Sequence, residues 1–248
     1  MGLPTVAVPE YTLAIPSSGK EVKYRPFLVK EEKILLLAME SEKTEEIIDA
    51  TKTIIENCVY GDVNIEAMPT FDVEYIFLQL RAKAKGEVID LKYKCPKCEG
   101  EISLNINIEE INVIHNKEHT KDIKLNEELG VMMKYPNMEL QASMAMREDT
   151  TEIEKLFETV VPCIDYIYDK ETTYPSKDHT KKEMVDFLES LTDDQFQKLS
   201  GFFETSPKLQ HDVELNCKNK NKLPKGKGKK ECAYTEKRTL EGLNSFFA

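Results

Sequence analysis

The stretch Glu87-Val-Ile-Asp-Leu-Lys-Tyr-Lys-Cys95-Pro-Lys-Cys98-Glu-Gly-Glu-Ile102-Ser-Leu-Asn-Ile-Asn-Ile108 decides the architecture. Val88, Asp90 and Lys92 alternate with Ile89, Leu91 and Tyr93, the period of two that marks a half-buried strand. Cys95-Pro-Lys-Cys98 interrupts this pattern, and it resumes at Ile102, Leu104, Ile106 and Ile108. The stretch therefore reads as a hairpin with two thiols at its tip. The same arrangement recurs later: Asp212-Val-Glu-Leu-Asn-Cys217 alternates like a strand, and Cys232 leads into a second, more polar one. Two cysteine-tipped hairpins facing each other make a zinc ribbon, in which four soft thiolates complete a tetrahedron and leave no position open for water or substrate. Cys95, Cys98, Cys217 and Cys232 are accordingly the expected ligands of a structural zinc.

The second pair is split, with fourteen residues, Lys218 to Glu231, between Cys217 and Cys232. Loop-closure cost grows slowly with length, so an insertion of this size within a metal knuckle is tolerable. Two alternatives stand beside zinc for Cys95 and Cys98: a redox pair, and a reduced, metal-free turn. A redox pair of the thioredoxin kind belongs at a helix N-terminus after a buried strand, whereas both flanks here read as alternating strands. Cys58 and Cys163 lie among Ile and Val in helical contexts and read as buried small hydrophobes.

Outward from the first hairpin the pattern becomes helical. Upstream, Tyr11 to Ile15 and Glu21 to Tyr24 flank the turn cluster Pro16-Ser-Ser-Gly19 and read as a β-hairpin. Lys30 to Ser41 and Glu45 to Cys58 carry apolar residues at helical spacing, and Thr70 is a candidate N-cap for a third helix from Phe71 to Lys85 that Gly86 closes. Downstream, Asp122 to Leu125 and Val131 to Tyr135 form a strand pair. Helices follow at Thr151 to Pro162, Thr180 to Leu191 and Asp193 to Phe203, each opened by capping threonines. The predicted fold is α+β. Residues 1–86 form an N-terminal hairpin with amphipathic helices, 87–111 and 211–248 form the two halves of a split zinc ribbon, and 112–210 form a mainly helical region inserted between them.

Composition bounds the function. No apolar run approaches the roughly 20 residues of a membrane span, and Met1 to Glu10 lacks the basic head and apolar stretch of a secretory signal. Six cysteines in 248 residues are too few for a disulfide scaffold, and in a reducing compartment paired cysteines read first as metal ligands. The net charge of −11 repels phosphate backbones, which argues against nucleic acid as a partner. Between Cys217 and Arg238, however, eight lysines and one arginine face two glutamates, a local +7 that leaves −18 for the rest. Lys218, Lys220, Lys222, Lys225, Lys227, Lys229 and Lys230 are therefore the candidate contact for an anionic partner. A nucleic-acid-binding zinc ribbon using this 218–230 loop is the alternative function, although the loop lacks the interleaved aromatics of a single-strand binder.

Nothing supports catalysis. The sequence has no glycine-rich phosphate loop and no nucleophile elbow, and the pair His115 and His119 lacks the glutamate placement of a metalloprotease helix. Adjacent acids such as Glu109 and Glu110, or Asp193 and Asp194, read as caps or solvated faces. No enzyme activity and no small-molecule substrate are expected.

Four segments carry a resemblance: Lys23-Tyr-Arg-Pro-Phe-Leu-Val-Lys-Glu-Glu-Lys-Ile34, Phe71-Asp-Val-Glu-Tyr-Ile-Phe-Leu-Gln-Leu-Arg81, Lys94-Cys-Pro-Lys-Cys98 and Gly130-Val-Met-Met-Lys-Tyr-Pro136. In this order, together with the ending Thr239 to Phe247, the chain resembles the baseplate hub protein family of T-even-like contractile-tailed bacteriophages. It departs from that family's pattern at the second knuckle, where a compact C-x-x-C is replaced by the Lys218 to Glu231 insertion. The resemblance implies a hub component or hub-assembly factor without catalysis. It would work through contacts with baseplate hub and tail proteins, in the host cytoplasm during assembly or in the virion tail.

Overall fold

The computed structural model describes residues 6–145, 151–219 and 232–246. The chain opens with an antiparallel hairpin, β1 (Tyr11–Ala14) and β2 (Glu21–Tyr24), whose turn uses Gly19 at φ +67°. Two helices follow, α1 (Val29–Glu40) and α2 (Thr44–Cys58), and then β3 (Val59–Tyr60), which pairs with β2. At the start of α1, Glu31 is buried and accepts hydrogen bonds from Arg25 and from the Leu28 N–H, both at 2.9 Å. Burial opposes the charge of Glu31, but the Arg25 guanidinium and the Leu28 N–H outweigh it and hold the carboxyl below its usual range.

Helix α3 (Thr70–Lys85) is the spine of the molecule. Its apolar residues surround it instead of forming one stripe, the pattern of a helix covered on all sides. Val73, Ile76, Phe77 and Leu80 pack into the core built by the hairpin, α1 and α2, while Leu78 and Ala82 enter a second core on the opposite side. Thr70 is not its cap. Pro69 occupies that position, and the Thr70 hydroxyl donates instead to the Pro136 carbonyl at 3.1 Å, tying α3 to the later part of the chain. Gly86 closes the helix at φ +103°, where a side chain would be strained.

The hairpin β4 (Val88–Lys94) and β5 (Glu101–Asn107) pairs in continuous register from Val88 opposite Asn107 to Lys94 opposite Glu101. Next come β6 (Asn112–Ile114), β7 (Asp122–Lys124), β8 (Gly130–Met133), α4 (Met138–Ala145), α5 (Glu152–Val160), β9 (Ile164–Tyr168), β10 (Thr173–Pro175), α6 (Lys181–Glu189) and α7 (Asp193–Thr205). Residues 112–210, expected to be mainly helical, thus also hold an antiparallel sheet of order β10-β9-β8-β7. Its buried Val131, Met133, Ile164 and Ile167 pack against Met184, Leu188, Leu199 and Phe202 from α6 and α7. Thr151, Thr180 and Thr192 each form a reciprocal capping box with the residue three positions on, as their spacing predicts.

The chain returns through β11 (Lys208–Cys217) and β12 (Tyr234–Glu241), which form a sheet with β6 in the order β12-β11-β6. Leu209, Val213 and Leu240 from this sheet meet Ile89, Leu91 and Ile106 from the β4–β5 hairpin and Leu78 and Ala82 from α3 in one buried cluster. That cluster aligns the tips of the two hairpins. The fold is mixed α+β, built from small sheets and amphipathic helices.

Candidate metal centre

At the aligned tips lie Cys95, Cys98, Cys217 and Cys232, all buried among Ile102 and Leu215. Alternation along β4 and β11 does the placing, because the residues that share a face with the buried cluster end on Cys95 and Cys217. The first turn is held by two backbone bonds: Cys95 N–H donates to the Gly100 carbonyl and Glu99 N–H to the Cys95 carbonyl, each at 2.8 Å. Glu99 takes up a left-handed conformation, φ +55°, to close it. In the second pair the Cys232 N–H donates to the Asn219 carbonyl at 3.0 Å, so the chain on either side of the insertion meets again beside the cysteines.

The four Sγ atoms lie within 4.8 Å of one another. Cys95 and Cys232 are 3.8 Å apart, and Cys98 and Cys217 are 3.6 Å apart. Four sulfurs bonded to a central zinc at about 2.3 Å would stand about 3.8 Å from each other along the edges of the tetrahedron. The spacing and the all-sulfur donor set fit such an ion. All six cysteines are free thiols, and contacts of 3.6–3.8 Å are far longer than the roughly 2.05 Å of a disulfide.

At Cys95 burial opposes ionisation, yet the backbone N–H groups of Lys97 and Cys98 and the neighbouring thiols bring the group down to about 7. At Cys217 the Asn219 N–H favours the thiolate, but burial and the other three thiols push it up to about 12. A cation entering the cluster would release the remaining protons. Cys58 and Cys163 behave otherwise: burial pushes them up to about 11 and about 12, with no second thiol beside either, and both pack as core residues.

Among the described residues, the histidine and carboxylate candidates do not assemble into a site. His119 is half-buried: its Nδ1 bonds the Thr205 hydroxyl at 2.9 Å and its Nε2 the Tyr135 hydroxyl at 3.0 Å, while His115 is exposed. His119 therefore stitches a loop to α7. Glu109, Glu110, Asp193 and Asp194 are exposed. Lys218 is exposed, while Lys220, Lys222, Lys225, Lys227, Lys229 and Lys230 lie outside the described residues. No helix among the described residues is long and apolar enough to cross a membrane.

Sequence reasoning missed two buried carboxylates on α3. Asp72 is fully buried and accepts the Ser17 N–H at 2.9 Å, and burial raises its pKa. Glu74 accepts the Leu243 N–H at 3.3 Å, and burial, helped by nearby Glu241, pushes it up to about 7. The surrounding run Phe71-Asp-Val-Glu-Tyr-Ile-Phe77 gave the only signal, since a helix without a polar face buries its acids.

Comparison with curated proteins and with solved structures gave no match. A family model described as "T4 bacteriophage base plate protein" matches residues 8–248, a span that takes in both cysteine hairpins and everything between them. The chain belongs to the T4 bacteriophage base plate protein family.

Proposed function

We propose that this protein is a non-enzymatic component or assembly factor of the phage baseplate hub. It acts through contacts with other hub and tail proteins, and its two cysteine hairpins are bolted together as a zinc ribbon. The observation that carries the metal reading is the spacing of the Cys95, Cys98, Cys217 and Cys232 sulfurs, 3.6 and 3.8 Å across the two hairpins. The ion would supply a cross-link and no chemistry, because four thiolates saturate it. Exposed apolar residues on α1, with Val29 at 81%, Leu36 at 50% and Leu37 at 57% exposure, support contact with other proteins. Assembly would take place in the host cytoplasm, with the tail baseplate as destination.

Two measurements test this. Elemental analysis of the purified protein is expected to find about one zinc per chain, and its absence would refute the metal reading. Affinity capture from infected cells is expected to recover hub and tail proteins. Capture of nucleic acid instead, with binding that weakens steeply as salt rises, would refute the assembly reading in favour of the lysine-rich loop as a nucleic-acid contact.

A further inference from the structure

We infer that Asn219 is the positioning residue of the cysteine tetrad, holding the two hairpins together through Gly100 on the opposite tip. The inference rests on the metal reading above and goes beyond it to say what presets the site. Asn219 makes three contacts. Its backbone N–H is hydrogen-bonded to the Cys217 sulfur. Its carbonyl accepts the Cys232 N–H at 3.0 Å. Its side chain lies directly over Gly100: a Cβ at that glycine would stand 1.9 Å from Asn219 Nδ2 and 2.8 Å from Cγ, an impossible approach. Gly100 in turn is anchored to the first pair, since its carbonyl accepts the Cys95 N–H at 2.8 Å.

The geometry answers a problem that the spacing creates. Cys95 and Cys98 are prepositioned by a tight turn of two intervening residues, whereas fourteen residues separate Cys217 from Cys232. Without local closure, gathering the second pair around an ion would carry the loop-closure cost of those fourteen residues, modest but larger than that of the tight first turn. The bond from Cys232 to Asn219 supplies the closure, and the Asn219 side chain on Gly100 sets the pair against the other hairpin. The glycine is required by this approach of a side chain, not by its own backbone conformation. Groups that orient metal ligands from outside the coordination sphere typically change affinity by about 10–100-fold when removed.

The test uses the full chain and the variants Asn219→Ala, Gly100→Ala and the double substitution. Zinc affinity is measured by competition with a chromophoric chelator, and the ligand-field absorption of the cobalt-substituted protein reports the geometry. Each single variant is expected to bind zinc about 10–100-fold more weakly and to distort the cobalt spectrum. The double variant is expected to be no worse than either single one, because Asn219→Ala removes the amide that the methyl at 100 would strike and leaves only the Cβ, at 3.1 Å. An Asn219→Ala protein with wild-type affinity and spectrum would overturn the assignment, as would additive losses in the double variant. If Gly100→Ala does not fold, Asn219→Ala decides alone, since it leaves the backbone bonds in place. A wild-type protein that takes up no zinc would overturn the metal reading and this inference together. Zinc-loaded wild type beside an indifferent Asn219→Ala overturns only the inference.

Discussion

Chelating the zinc proposed for the tetrad, or replacing one of its four cysteines, is expected to lower the melting temperature substantially without abolishing the fold. The tetrad joins positions 119 and 137 residues apart, so a bound ion closes a loop comparable to that of a long-range disulfide. The chain-entropy relation gives about 4–5 kcal/mol for closing a loop of this length. Mass action gives a similar figure, about 4 kcal/mol when free zinc exceeds its dissociation constant a thousandfold. At about 2–4 °C per kcal/mol for a chain of this size, a chelator should lower the melting temperature by about 8–20 °C. The body should survive, because Leu78, Ile89, Leu91, Leu209 and Leu240 remain packed at the base of both hairpins. The chain has no tryptophan, so circular dichroism is the suitable probe, applied to wild type and Cys232→Ser with and without chelator. Cys232→Ser should start low and respond weakly. A wild-type transition that ignores the chelator, or a variant that responds as strongly as wild type, would refute the reasoning.

Glu74→Gln should stabilise the protein above neutral pH. The folded state holds the Glu74 proton up to about 7 against an ordinary 4.5, so this group's contribution is complete below about 4.5 and is lost as pH rises through about 7, roughly 3 kcal/mol in all. Urea unfolding at about pH 5 and pH 8 should show a smaller pH difference for the glutamine variant than for wild type, and equal differences would count against it. Glu42→Gly, at a position just past α1 with φ +56°, should raise stability by about 1 kcal/mol in the same assay, and a loss would contradict the strain argument. Gly130→Ala would place a methyl 2.3 Å from the Tyr168 ring, whose hydroxyl bonds Asp122; a loss of about 1–3 kcal/mol and faster amide exchange in β8 and β9 are expected, and unchanged exchange would refute it.

Local chemistry made much of this structure legible in the sequence. The threonines at 151, 180 and 192 cap their helices because each has Glu or Gln three residues on, a signal confined to one turn. The period-two runs around Cys95 and Cys217 likewise revealed strands whose faces carry the thiols to one point. What was not legible depends on distant partners. Cys163-Ile-Asp-Tyr-Ile-Tyr168 is a short apolar run of ambiguous period, and only pairing with β8 and β10 makes it the strand β9. Thr70 looks like a cap in isolation, but its hydroxyl is claimed by the Pro136 carbonyl, 66 residues on. The role of Asn219 could not be read from a lysine-rich neighbourhood, because its partner Gly100 belongs to the opposite hairpin.

The pairing of β11 with both β12 and β6 has a consequence for how the molecule is made. Synthesis proceeds from the N-terminus, so α3 and the β4–β5 hairpin emerge long before the strands that cover them. Until β11 and β12 arrive, Leu78, Ile89 and Leu91 have no lid, and half of the cysteine set is missing. Strands β11 and β12 thus act as a keystone, seated after the arch is standing, and a nascent chain stalled before Cys217 would present an apolar surface for chaperones to hold.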